Sequence, residues 1–350
     1  MNVKAILLPM VWLFWVVCAQ AQSFAGLGSA ADAGFATPVR GQALSFPTDH
    51  GAHPAYRIEW WYITANLQAE DGRDLGVQWT LFRSALAPEG GQGWSVPQVW
   101  MGHAAVTTAR QHFTSERLAR GGVGQAGAEA APFRAWIDGW SMRGNPVTGP
   151  VTLKAEGRDF AYDLTLTANR PLVTHGEAGY SEKSDSGQAS YYYSQPFYEV
   201  AGVVELPEGP INVTGQAWLD REWSSQPLDE NQAGWDWVSL HFESGAKLMG
   251  FQVRDDQGAF TSGTWIHADG RVEPFRDAVV QLTPGKTVRV EGRRVPIEWQ
   301  VTAPRFGLDV QITALNPQAW MPMLFSYWEG PVTIAGSHRG KGYLEMTGYD

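Results

Sequence analysis

Three short segments set a carboxylate against tryptophan: Arg-Ile-Glu-Trp-Trp-Tyr (57–62), Asp-Arg-Glu-Trp (220–223) and Tyr-Trp-Glu-Gly (327–330). A carboxyl in apolar surroundings is disfavoured as an anion. Its pKa rises, and it becomes a proton donor at neutral pH. Extended chain sends alternate side chains to opposite faces. Arg57, Glu59, Trp61 and Ile63 then share one face, and Ile58, Trp60, Tyr62 and Thr64 the other. Asp220 and Glu222 share a face that Arg221 and Trp223 do not. Glu59, Asp220 and Glu222 are therefore the candidate proton donors. Glu59 has a competing role: a cation such as Arg57, or an indole N–H, could lock it into a buried structural pair.

His50 and His53, in Asp-His-Gly-Ala-His-Pro (49–54), precede the first of these segments, and His103 lies in a strand-like run of its own. With Glu59 they could ligate a metal. Their H-x-x-H spacing falls in a loop, so polar pocket lining is the expectation and no metal site is assigned. In Ala-Ser-Tyr-Tyr-Tyr-Ser (189–194), Tyr191 and Tyr193 share one face and Tyr192 takes the other. Trp235 and Trp237 share a face. Most of these aromatics belong to a core. The rest could line a cavity for a long apolar ligand, with tyrosine hydroxyls and a carboxyl as its few polar points. The candidate ligand-binding residues are His50, His53, Trp61, His103, Tyr191, Tyr192 and Trp237. Other motifs fail on context. Gly122–Gly127 fits G-x-G-x-x-G but follows no apolar strand. Ser244–Lys247 fits S-x-x-K but sits on an expected hairpin turn.

These side chains must be positioned by strands. Short alternating runs such as Phe160–Pro171, with Tyr162, Leu164 and Leu166 set against Ala161, Asp163 and Thr165, recur between turn signals, and 39 Gly and 21 Pro punctuate the chain. Period-3.6 patterns are hard to find, so the expected class is all-β, a barrel or sandwich. Trp60–Arg83 is echoed by Trp235–Arg254: each opens on a Trp pair, passes a glycine turn and ends on arginine. That echo suggests a duplicated barrel unit. The polar stretch Glu182–Ser190 reads as the linker, giving units at 45–190 and 191–350, a division that suits 350 residues. Seventeen Trp supply large aromatic faces to bury or to offer a ligand. A net charge of −10 with no long basic run argues against nucleic acid as a partner. Residues 1–21 carry an apolar run closed by Ala19-Gln20-Ala21, the pattern of a cleaved signal peptide, and 22–44 read as a flexible leader. Cys18 is the only cysteine, so the mature chain has no thiol chemistry.

The ordered segments Phe46–Leu67, Val77–Arg83, Ala189–Pro196, Gly215–Ser225, Gly234–Leu240 and Tyr327–Tyr349 closely resemble the AttH group. These are secreted lipocalin-like proteins often encoded beside ABC-transporter genes, and their wider family includes carotenoid 1,2-hydratases (hydroxyneurosporene synthases). The resemblance implies two tandem lipocalin-like antiparallel β-barrels, a cavity for an apolar or polyene-like small molecule, and no cofactor. The hydratases commonly read Asp-His-Glu-Trp where this chain has Asp220-Arg221-Glu222-Trp223, and arginine exchanges no proton near neutral pH. Two functions follow: a periplasmic or secreted binding protein serving an ABC-transporter system, the favoured reading, or a hydratase using a buried carboxylic acid. Export is expected to leave Gln22 as the first residue. N-terminal sequencing of the exported protein checks this, and an intact Met1 would overturn it.

Overall fold

The computed structural model describes residues 34–88, 90–226, 232–256 and 258–349. The segments expected to be a signal peptide and the first part of the leader lie outside the described residues. Among the described residues nearly every element is a strand, and the helical elements are single 3-10 turns such as Thr48–His50. The described strands form one 13-stranded and one 10-stranded antiparallel sheet and a two-stranded ribbon of Thr287–Val290 with Arg293–Pro296. Each of the two large sheets curls around its own apolar core into a nearly closed barrel.

The two sheets repeat one plan. In the first, Ile58–Ala69 lies between Asp74–Ala85 and Gly209–Ser224; in the second, Gln232–Phe242 lies between Lys247–Asp255 and Gly340–Met346. The register repeats too. Arg83 stands across from Glu59 as Arg254 stands across from Gly234, and Asp220 stands across from Tyr62 as Glu345 stands across from Trp237. The turns at Asp71-Gly72 and Ser244-Gly245 hold equivalent places, each with its glycine in the left-handed region, at φ +86° and +87°. A side chain with a β-carbon would be strained there.

The division at 190/191 is corrected by the pairing. Ala189–Leu206 is bonded to Ala161–Ala168, and Gly209–Ser224 to Ile58–Ala69. A cut at 190 would strip two strands from the first barrel and open it. The chain crosses to the second sheet only after Ser224. The expected linker is a hairpin instead, with Tyr180–Glu182 paired to Ala189–Tyr191. The leader is not loose over its described part either. The Val39 N–H donates to the Tyr191 hydroxyl at 2.8 Å, and Arg40 pairs with Glu177 and Glu182.

The strand Ile58–Ala69 is buried on both faces, which explains its near-continuous apolar sequence. Trp61, Ile63 and Ala65 point into the first barrel, which Trp79, Trp140, Phe133 and Leu219 fill. Tyr62 points outward and packs with Trp237, Met249 and Phe251 of the second barrel. The seam between the barrels is close. A β-carbon on Gly76 would meet the Tyr343 hydroxyl at 2.5 Å and Pro331 at 2.6 Å. His175 Nδ1 lies 2.8 Å from Thr264 Oγ1, and Lys341 pairs with Asp74 at 2.7 Å.

Glu59 does point inward with Trp61, but as an ion and not as a proton donor. Its carboxylate is paired with Arg83 and Arg221 and accepts the His53 backbone N–H at 2.9 Å. The Arg221 guanidinium also lies 3.9 Å from the centre of the Trp61 ring. Burial alone would push the Glu59 carboxyl up, but the two guanidiniums outweigh it and hold the group well below the usual range. Its stabilising share is therefore present above the ordinary carboxylate pKa and lost as pH falls through the lowered value. Glu59→Gln leaves two buried cations without their anion. It is expected to cost about 3–5 kcal/mol, read as a fall in the denaturation midpoint; an unchanged midpoint at neutral pH would refute this role.

Candidate functional site

The main cavity lies between the barrels, not inside either one. It encloses about 1190 Å³ with its open mouth. One wall is the outer face of the first sheet, with Trp60, Tyr62, Phe82, Tyr192, Asp220 and Glu222. The facing wall is the outer face of the second, with Trp235, Trp237, Phe251, Tyr327 and Glu345. The hairpin around 180–191 adds Lys183 and Gln188. Strand alternation places these groups. The residues that fill the barrels occupy one parity, and the chamber takes the other.

Of the residues singled out from sequence, Asp220, Glu222, His103, Tyr192 and Trp237 come together in this chamber. Glu59, Trp61, His50, His53 and Tyr191 do not. Trp61 is barrel core, its indole donating to the His50 carbonyl at 2.8 Å. His50 is buried against the Tyr193 hydroxyl at 2.7 Å, and burial pushes it down to about 4. His53 stacks on Trp223 with centroids 4.1 Å apart and braces Glu59. Tyr191 anchors the leader through Val39 and Gln42. The expectation of a ligand beside Trp61 assumed a hollow barrel, whereas large side chains fill this one.

Asp220 is the most strongly held polar group on the first wall. It accepts the Tyr192 hydroxyl at 2.5 Å, the Trp218 indole N–H at 2.6 Å and the Ser194 hydroxyl. Burial pushes its carboxyl up to about 7 against the pull of those three donors. Glu222 accepts from Ser190 and pairs with Lys183 at 2.8 Å. The Lys183 ammonium also sits 4.3 Å from the centre of the Phe251 ring and 4.8 Å from that of Tyr192.

Glu345, on the facing wall, is the register equivalent of Asp220. It accepts the Trp235 indole N–H at 2.7 Å. Burial, reinforced by the Asp220 and Glu222 charges, pushes it up to about 7, while Trp235 and Tyr62 pull it down. Directly across the strand pair stands Glu329, the carboxylate of the third Trp-flanked segment. It accepts the Tyr62 hydroxyl, and burial together with Glu345 pushes it well above the usual range. Tyr62 and Trp237, themselves equivalent, meet edge to face with centroids 5.4 Å apart.

The sequence reading missed Glu345 as a site residue and left Glu329 without a role. The signal that could have found them is the Trp60–Arg83 echo carried one strand further, since it maps Asp220 onto Glu345. That step requires the strand pairing. The Arg221 that departs from the hydratase pattern points into the first barrel toward Glu59, so it does not touch the chamber chemistry. The arrangement brings two proton-exchanging carboxyls from two walls to one aromatic, largely apolar space, which suits proton transfer to and from an apolar substrate.

A carboxyl raised on folding takes up a proton as the chain folds. Its contribution is whole below its unfolded value and lost as pH rises through about 7. Glu345→Gln, which removes the burden of a buried anion, is expected to raise the melting temperature over wild type at about pH 8.5 and to leave it unchanged at about pH 5. An equal shift at both pH values would show that Glu345 is not a raised carboxyl.

Residues 37–349 match the AttH-like family. A crystal structure described as an AttH protein of Nitrosomonas europaea is 34% identical, covers 90% of this chain and 100% of that one, and superposes with a TM-score of 0.80. Kievitone hydratase of Nectria haematococca shares the fold at 13% identity, with 91% of this chain and 98% of that one covered and a TM-score of 0.65. CghA with Sch210972 matches at 12% identity over 90% and 96%, with a TM-score of 0.52. No curated protein matches significantly.

Proposed function

This chain belongs to the AttH-like family, and on that premise we propose that it is an enzyme of the hydratase type, adding water across a carbon–carbon double bond of an apolar substrate, or removing it, by general acid–base chemistry. One observation carries the reading: Asp220 and Glu345 reach the same chamber from opposite walls, both pushed up to about 7. A carrier needs aromatic walls but no such pair.

In the hydration direction, protonated Glu345 gives its proton to one alkene carbon and becomes a carboxylate. The positive charge that develops on the neighbouring carbon faces the aromatic walls. A cation against an aromatic ring in a dry site is stabilised by ~2 kcal/mol. Water attacks that carbon as the Asp220 carboxylate takes one of its protons. Asp220 suits the base because three donors already aim at its oxygens. Glu345, beside the protonated Glu329, suits the acid. Positioned proton transfers of this kind contribute about 10²–10⁴-fold to rate. That a protein of the same fold bears the name kievitone hydratase supports the reading by analogy only. The substrate class we propose is a molecule with an isoprenoid-like alkene on an apolar, polyene-like body. From the leader pattern and the family resemblance we further propose that the protein acts outside the cytoplasm beside an ABC transporter.

The test incubates the purified protein with farnesol, squalene and neurosporene in heavy water and reads the products by mass spectrometry. The expected product gains one water and one carbon-bound deuterium. Glu345→Gln and Asp220→Asn are each expected to lower kcat by ~100-fold or more, and the pH profile of kcat/KM should be bell-shaped about neutrality. Saturable binding of these alkenes without any product would assign the carrier function instead.

A further inference from the structure

The chamber acid must be reloaded after each turnover, and an apolar substrate filling the chamber keeps water from it. A row of exchangeable groups, several of them part of the chamber wall itself, runs from Glu345 to the surface. The Tyr62 hydroxyl is a hydrogen-bonding neighbour of Glu345 and donates to Glu329 Oε1. Glu329 has the Tyr327 hydroxyl as its next hydrogen-bonding neighbour, and its buried Oε2 makes no aligned hydrogen bond, an open position for a travelling proton. The Tyr327 hydroxyl lies 2.9 Å from His103 Nδ1, and His103 Nε2 lies 3.2 Å from Glu116 Oε1. His103 is buried, whereas the Glu116 side chain is a quarter exposed. Both barrels supply links: Glu116, His103 and Tyr62 come from the first, and Tyr327, Glu329 and Glu345 from the second.

We propose that Glu116, His103, Tyr327, Glu329 and Tyr62 form a proton relay that reloads Glu345 from solvent while the chamber is occupied, an inference that rests on the hydratase reading for its purpose. The transfers balance as one proton in and one out. Glu345, left as a carboxylate, takes the Tyr62 proton; Tyr62 takes that of Glu329; Glu329 takes that of Tyr327; and Tyr327 takes the one on His103 Nδ1. His103 accepts a proton at Nε2 from Glu116, which draws one from water. No group changes oxidation state. Neutral imidazole suits the turn in the path because it accepts on one nitrogen as it releases from the other, and burial keeps His103 below the usual histidine range despite Glu116. Asp220 lies outside this row. It discharges its proton to water once product leaves.

The relay can be read without turnover. The Trp235 indole, 2.7 Å from Glu345, is placed to sense that carboxyl's charge, and the component of the chain's tryptophan fluorescence that Glu345→Gln abolishes is the signal followed. A rapid pH jump is applied to the protein in buffer saturated with octanol, a neutral chamber occupant. Wild type is expected to relax quickly, and Glu345→Gln to lose the transient. Tyr327→Phe and Glu116→Gln should relax at least ~tenfold more slowly while melting like wild type. Glu116→Gln serves as the variant least able to disturb folding. Equal rates in wild type and both variants, or a transient that survives Glu345→Gln, would overturn the relay. Turnover supplies the second arm: Tyr327→Phe and Glu116→Gln should lower kcat with KM unchanged and enlarge the solvent isotope effect. If wild type hydrates no alkene, the hydratase reading falls while the pH jump still decides the relay; if it does and neither variant slows it, the relay alone falls.

Discussion

A single buried charge organises the first barrel. Glu59 has no access to water, and an isolated carboxylate there would be prohibitively expensive. It is tolerated because Arg83 comes from the following strand, Arg221 from the strand on the other side, and the His53 N–H from the preceding loop. Three neighbouring strands are thereby held in one register. A one-residue slip would carry the arginines to the opposite face, so the pairing penalises every alternative alignment. That register also sends Tyr62, Asp220 and Glu222 outward together. The second barrel has a smaller counterpart in Asp236, which faces Arg254 at 3.1 Å and accepts the Tyr349 hydroxyl at 2.9 Å.

Strand parity thus sets Glu59, turned inward, apart from the carboxyls of the seam. Glu59 meets guanidinium and is ionised. Turned toward the seam, Glu222 meets Lys183, whereas Asp220, Glu329 and Glu345 meet hydroxyls, indoles and one another, and burial wins. Asp220 and Glu345 are pushed up to about 7, into the range where a group can both give and take a proton. Neither barrel could do this alone. One outer wall exposed to water would leave its carboxyl solvated and unperturbed. Docking a second, similar wall against it removes the water and doubles the number of acids.

That arrangement explains why part of the site was legible and part was not. The faces shared by Asp220 with Glu222, and by Trp235 with Trp237, follow from alternation and are observed. So are the equivalent turns at Asp71-Gly72 and Ser244-Gly245, and the inward Tyr162, Leu164 and Leu166. Glu59 shares the inward face with Trp61, as alternation requires, and of its two open roles the structural ion pair holds, its partners Arg83 and Arg221 lying 24 and 162 residues away. The nearer Arg57 turned out not to be its partner. Tyr191 and Tyr192 differ by one position, yet one anchors the leader and the other lines the chamber.

Sequence alone determined the strand class, the repeat and the pairing of acids with aromatics, because these rest on local periodicity and on segments compared side by side. It could say which side chains share a face of a strand. Only the tertiary structure decided which face is packed core and which is chamber, since that depends on what a second sheet, built from residues beyond 231, lays against the first. It also decided the charge of each carboxyl. Protonation is set by the neighbours within a few ångströms, and for Glu59, Asp220, Glu329 and Glu345 most of those neighbours come from distant parts of the chain.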